Sequence, residues 1–343
     1  MSTEPLKALL FSLCGAYGVT GGEDSASLLA MRELSKYMPA KMDALHSVHG
    51  ETGNGPIHIL LDAHIDQIGF IVTNVDEDGF VSVAPCGDAD KRVLPAAEVL
   101  ILGRETLYGV FTSTPPHLSK GDSGKVKDFD KLFIDTGLPA GKAKELIAAG
   151  DKVVFKSKQR ELLDGKVVSP ALDDRAGVAA ILRCLELLKG VEHGCKISVA
   201  FTVQEESTGG GARTSAYAIG ADEAISVDVT FGAALGIPPE KTFPLGGGPL
   251  IGMAPPLDHG MSQRFIKIAK EKNIPYGIEA MGGKTFTNAD GIAFSKAGVR
   301  TALISIPQRN MHTAVEVCGL EDIGNTARLM AEYILERGAA GDA

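Results

Sequence analysis

From residue 169 onward the sequence alternates short apolar runs with segments of helical period, which limits this part of the chain to an α/β fold on a mostly parallel sheet covered on both faces. The spacing predicts helices over 174–189, 262–272 and 321–337, and strands over 196–204, 223–229 and 300–306. A similar pattern opens the chain. Leu28, Leu29, Met31 and Leu34 mark a helix over 24–37, and a buried strand follows over 57–62. Residues 69–164 have a different texture: short β-rich runs such as GFIVTNV, TLYGVFT and DKVVFKS, broken by Gly, Pro and Asp turns. A helix over 141–149 and a linker-like stretch over 113–128 interrupt them. The expected organisation is an α/β domain from 1–68 and 165–343 with a small β-rich domain, 69–164, inserted into it.

Ligand-type residues sit at the ends of these runs. Glu205 and Glu206 follow the 196–204 run, His64 and Asp66 lie in LLDAHIDQIGF, Asp173 and Asp174 in SPALDDRAG, Asp228 in AISVDVT and His312 in ISIPQRNMHT. Each alone has an ordinary reading as a loop histidine, an N-cap pair or a solvated strand end. Open α/β sheets gather their sites beyond the C-terminal ends of strands, so together these residues predict one site. Two histidines with several carboxylates make a mixed N/O donor set suited to Zn, Co or Mn. Asp173 is the natural bridge between two cations about 3.5–4 Å apart. In His64-Ile65-Asp66, extended alternation puts both polar side chains on one face, so Asp66 can orient His64. Glu205 and Glu206 leave the backbone in different directions, so one can ligate while the other stays free as a base. The combination reads as a two-metal hydrolase site.

Composition and missing motifs exclude several alternatives. The 343 residues carry 43 acidic and 34 basic side chains, a net charge of -9, with no Lys/Arg block interleaved with aromatics, which argues against a nucleic-acid partner. No run approaches the roughly 18 apolar residues of a membrane span, and the N-terminal segment lacks a signal-peptide pattern. A cytoplasmic protein is expected. The five cysteines are scattered without C-x-x-C spacing, against a disulfide framework or a thiolate zinc site. The glycine runs at 209–211 and 246–248 lack P-loop spacing, and no G-x-S-x-G elbow occurs. Adjacent Glu205 and Glu206 are poorly placed to flank a sugar.

The series AYGVTGGED, DAHIDQIGF, TPPHLSK, FIDTG, AAGDKVVF, ALDDRAG, VQEE, AISVDVT, GGGPLI and ISIPQRNMHTAVEV resembles the TET or glutamyl-aminopeptidase-like family of co-catalytic metallo-aminopeptidases, some of whose members were once labelled cellulases. The resemblance covers nearly the whole chain. It implies a phosphorylase/hydrolase-like catalytic domain over 1–68 and 165–343, and a PDZ-like assembly domain over 69–164. It also implies homo-oligomers of the family's tetrahedral dodecamer type. Two divalent metal ions per subunit are implied, zinc first, with cobalt or manganese as alternatives. His64 and Asp228 would help bind one metal or the other, Glu206 and His312 would complete the pair of sites, and Asp173 would bridge. Glu205 would be the general base and Asp66 the residue supporting His64. The implied reaction removes N-terminal residues from short peptides, Glu205 taking the proton of a metal-activated water and returning it to the leaving amine. A cis peptide between Asp173 and Asp174 is implied as well.

Some positions depart from the family's commoner residues. Ser207-Thr208-Gly209 follow the Glu pair in place of Val-Gly, Gln67 replaces a frequent acid, and Asn310 stands where Tyr is common. These flank the proposed ligands and bear on the substrate pocket. Lys284, Gln308 and Arg309 are candidates to select an acidic residue, and each also has an ordinary surface or structural reading. Two further functions use the same residues: a related deacylase or carboxypeptidase, and an inactive scaffold that binds peptides. The retained Glu205 weighs against the scaffold, which has no use for a free base.

Overall fold

The computed structural model describes residues 3–118 and 126–341. Residues 119–125, within the expected linker and including the end of TPPHLSK, lie outside the described residues. The central strands of the main sheet, in spatial order Cys195–Thr202, Ile57–His64, Glu223–Phe231 and Arg300–Arg309, run parallel. Alternation divides their side chains between two cores. Ile59, Leu61 and Ala63 pack with the helices Glu4–Gly15, Asp24–Leu34, Leu172–Leu188, His259–Glu271 and Leu320–Gly341. Leu60, Ala200 and Ala224 pack on the opposite face with the shorter helices Gly210–Ile219 and Asn288–Ala293.

The sheet is mixed and not mostly parallel. Among the described residues it has eleven strands, and antiparallel pairs form both margins, including Val48–Thr52 against Cys195–Thr202 and Glu316–Gly319 against Arg300–Arg309. Connection length accounts for the second of these pairs, in which residues 310–315 return the chain beside itself, whereas Val48–Thr52 pairs with a strand far along the sequence. Below the strand starts, the buried Glu223 accepts hydrogen bonds from Tyr333 Oη at 2.8 Å and from Arg337 and Arg300. That network ties the C-terminal helix to the start of the Glu223–Phe231 strand.

The strands Gly69–Val75, Val81–Cys86, Glu98–Leu102, Thr106–Phe111, Phe133–Asp135 and Lys152–Phe155 form a separate closed barrel. Its core is its own. Phe70, fully buried, meets Phe111 and Phe155 edge-on at centroid distances of 5.1 and 5.6 Å. Among the described residues, no helix is long and apolar enough to cross a membrane.

Truncating Phe70 to Ala removes the centre of this aromatic cluster and is expected to cost about 3–5 kcal/mol of barrel stability. Urea unfolding combined with hydrogen exchange checks this: protection should fall mainly in 69–155, and an equal loss across the central sheet would contradict two independent cores.

Candidate active site

The parallel register brings the strand ends together, with Thr202 beside His64 and Asp228 beside Ser305. Beyond Thr202, Gln204 adopts a left-handed backbone, φ 61°, a conformation costing a non-glycine residue of order 1–3 kcal/mol. Its carbonyl accepts the amides of Thr208 and Gly209, turning Glu205 and Glu206 inward. The fully buried Asp66 carboxylate accepts the Glu205 amide at 3.0 Å and the Glu206 amide at 3.1 Å. His64 Nδ1 lies 3.1 Å from the Asp66 carbonyl and 3.5 Å from its carboxylate. Asp66 therefore holds the ring mainly through its backbone, while its side chain clamps the Glu pair.

Asp173 and Asp174 lie in a non-helical break at the start of Leu172–Leu188, and the peptide between them is cis. Asp174 Oδ1 accepts the Gly177 amide at 2.9 Å, capping the helix that follows. Asp173 instead faces the two histidines: Oδ1 is 2.9 Å from His64 Nε2, and Oδ2 is 3.4 Å from His312 Nε2. His312 Nε2 is also 3.5 Å from Glu206 Oε2. Its Nδ1 lies 3.1 Å from the carbonyl of Asp88, which belongs to the loop after the barrel strand Val81–Cys86. Gly87 beside it is required, since a Cβ there would stand 2.7 Å from Ile68 Cγ2 and 3.2 Å from Glu206 Oε2.

One contributor escaped the sequence reading. The buried Glu316 accepts the His312 amide at 3.1 Å through one oxygen and the Asp173 amide at 3.2 Å through the other. The signal was an acid inside the otherwise apolar AVEVCGL.

His64, Asp173 and Asp228 each offer a ligand atom within 4.8 Å of the others, as do Asp173, Glu206 and His312. Both trios are candidate metal sites, and Asp173 belongs to each. Burial pushes the carboxyls of Glu206, Asp228, Asp174 and Glu316 well above the usual range, and neighbouring carboxylates add to the shift. Glu205 is pushed up to about 7, again mainly by burial. Asp173 moves the other way: burial opposes its charge, but hydrogen bonds from His312 and His64 outweigh it and hold the carboxyl well below the usual range. Glu206 Oε1 is buried without a hydrogen-bond partner among the described residues.

These residues open onto a cavity of about 740 Å³ that continues to Thr230, Glu279, Met281 and Lys284. Of the side chains considered for acidic selectivity, Lys284 lines this cavity. Arg309 instead donates to the Ala233 carbonyl, and Gln308 is buried within its strand. The unusual residues serve the loops around the site. Ser207 Oγ is 3.0 Å from Thr20 Oγ1, Gln67 accepts the Gly18 amide, and Asn310 donates to the Val315 carbonyl.

Residues 46–329 match the family model described as M42 glutamyl aminopeptidase. The lysyl aminopeptidase of Pyrococcus furiosus is 31% identical over 302 residues, 86% of each protein. An aminopeptidase from the archaeon Desulfurococcus kamchatkensis superposes with a TM-score of 0.91 at 32% identity, covering 97% of this chain and 95% of its own. The TET1 peptidase of Pyrococcus horikoshii, described as assembling into a tetrahedron or a large octahedral shell, gives 0.85 at 28% identity over 96% and 99% of the two chains. The chain thus belongs to the M42 glutamyl aminopeptidase family and is a peptide-bond hydrolase of the aminopeptidase class.

Proposed function

We propose that this aminopeptidase removes N-terminal residues from short peptides at a two-metal centre built on Asp173. The carrying observation is that the Asp173 carboxylate belongs to both trios of donor atoms. His64 and Asp228 would hold one ion and Glu206 and His312 the other. The donor chemistry fits zinc, cobalt or manganese, having imidazole and carboxylate atoms without sulfur. The charge fits too: buried carboxylates outnumber the two imidazoles, and Glu206 Oε1 has no hydrogen-bond partner.

Two bound divalent ions supply the Lewis acidity that polarises a carbonyl and acidifies water. Glu205 lines the cavity beside the two trios without belonging to either. It is the general base, accepting the water's proton and delivering it to the leaving amine. Asp66, by holding the Glu205 and Glu206 amides, fixes that base relative to the ligands. The carboxylate-rich wall favours a free α-ammonium over an acylated N-terminus, which separates this reading from a deacylase.

We also infer that 1–68 and 165–343 form the catalytic domain and 69–164 a PDZ-like assembly insert, a division supported by the barrel's separate core. Homo-oligomers, in the tetrahedral form described for the TET1 peptidase, follow from the likeness to that protein. The free cysteines suit the reducing cytoplasm.

Glu205→Gln should lower kcat by roughly 10²- to 10⁴-fold while metal content is kept, whereas chelation should abolish turnover until Zn²⁺, Co²⁺ or Mn²⁺ is restored. Steady-state kinetics on free and N-acetylated peptides, with metal analysis, checks both; preferred cleavage of the acetylated set would favour the deacylase. Glu316→Gln replaces one acceptor with a donor facing an N–H, so metal retention should weaken roughly 10- to 100-fold, read by competition with a chelator. Light scattering is expected to give a closed homo-oligomer, and a monomer at micromolar concentration would contradict the assembly role of 69–164.

A further inference from the structure

The glutamyl description of the family model and the lysyl name of one relative imply opposite charges at the first residue of the substrate, so the preference has to be read from this chain's own cavity. Beyond the metal-ligand candidates and the base Glu205, the charged side chains lining it are Asp88, exposed in the loop whose carbonyl meets His312, and Glu279 and Lys284, which compete for that role.

Their settings differ. Glu279 lies on the strand Gly277–Ala280 and is half-buried, and Thr230 Oγ1 donates to its Oε1. Burial pushes its carboxyl above the usual range, while the Thr230 and Ser305 hydroxyls act against that shift. Among the described residues no cation pairs with it. Lys284 follows Gly282 and Gly283, is exposed, and makes no hydrogen bond or ion pair among the described residues. A charge on a fixed, partly desolvated side chain discriminates between ligands more strongly than one on a solvated, freely rotating stem.

Position favours the same choice. Thr230 follows Asp228 by two residues on one strand, so both side chains leave the same face with their Cα atoms roughly 7 Å apart. Asp228 is in the candidate metal centre, and Thr230 holds Glu279. The carboxylate thus lies one strand repeat from the centre, within reach of a long side chain on the residue being removed. Met281 and Leu303 also line the cavity, giving apolar contact for such a side chain's methylene stem.

We propose that Glu279 is the specificity-determining residue of this cavity and selects a basic N-terminal residue, lysine above all. The inference rests on the aminopeptidase reading of the site.

The test compares kcat/KM for lysyl, arginyl, norleucyl, leucyl and glutamyl p-nitroanilides with metal-loaded wild type, Glu279→Gln, Glu279→Asp and Lys284→Gln. Norleucine keeps the stem of lysine without its charge, so the lysine-to-norleucine ratio isolates the ammonium group and is internally controlled within each variant. The wild type should favour lysine; Glu279→Gln should reduce the ratio about tenfold or more, and Glu279→Asp should retain part of it. Lys284→Gln should leave the ratio within about twofold. Preference for leucine or glutamate in the wild type, or an unchanged ratio in Glu279→Gln, would overturn the assignment with the aminopeptidase reading intact. Failure to cleave any of the five substrates with both metals bound would overturn both.

Discussion

The buried carboxylate of Asp66 accepts the amides of Glu205 and Glu206, and these bonds join the ends of two parallel strands at the point where the candidate chemistry is assembled. A single acid, with both oxygens committed to backbone, sets the direction in which two others point. Its own carbonyl meets the ring of His64. Glu316 repeats the device across the site, holding the amides of His312 and Asp173 with its two oxygens. The residues facing the cavity are thus positioned by acids that do not face it. Each positioning acid is buried and fully paired, the condition under which a carboxylate in a protein interior rigidifies its surroundings.

The barrel is not merely appended to this arrangement. Its Asp88 carbonyl meets His312 Nδ1, and the missing side chain of Gly87 leaves room for Glu206. At these two points a unit with its own aromatic core borders His312 and Glu206, the donors proposed for one ion besides the shared Asp173. Two structural units therefore meet at the site, although the candidate ligand residues themselves all belong to the larger one.

Much of this was legible in the sequence because the informative patterns are local. The 196–204, 223–229 and 300–306 runs carry continuous apolar character, and they appear as Cys195–Thr202, Glu223–Phe231 and Arg300–Arg309, displaced by a few residues at most. The ligand-type residues could be located because strand ends are where such sheets gather function. What escaped depends on partners distant in sequence. The antiparallel margins arise from pairings that no local period encodes, and barrel closure needs Phe133–Asp135, too short to carry an alternation. Gly210–Ile219 lay hidden behind three glycines, and Glu316 and Glu279 resemble ordinary strand acids until their neighbours are known. Asp66 was expected to meet His64 through its side chain, but its carbonyl lies nearer the ring, since extended alternation gives the face of a side chain and not which of its atoms is engaged.

Both imidazoles set their Nδ1 atoms against main-chain carbonyls, His64 on Asp66 and His312 on Asp88. A carbonyl only accepts, so each Nδ1 carries a proton, and the Nε2 edge of each ring, turned toward the acceptor Asp173 carboxylate, is protonated as well. An ion held through Nε2 would displace that second proton, and the tautomer left would be the one whose Nδ1 proton the main-chain carbonyls already hold. Binding of an ion there would involve little ring reorientation, because the conformational freedom of both rings was already given up when the chain folded.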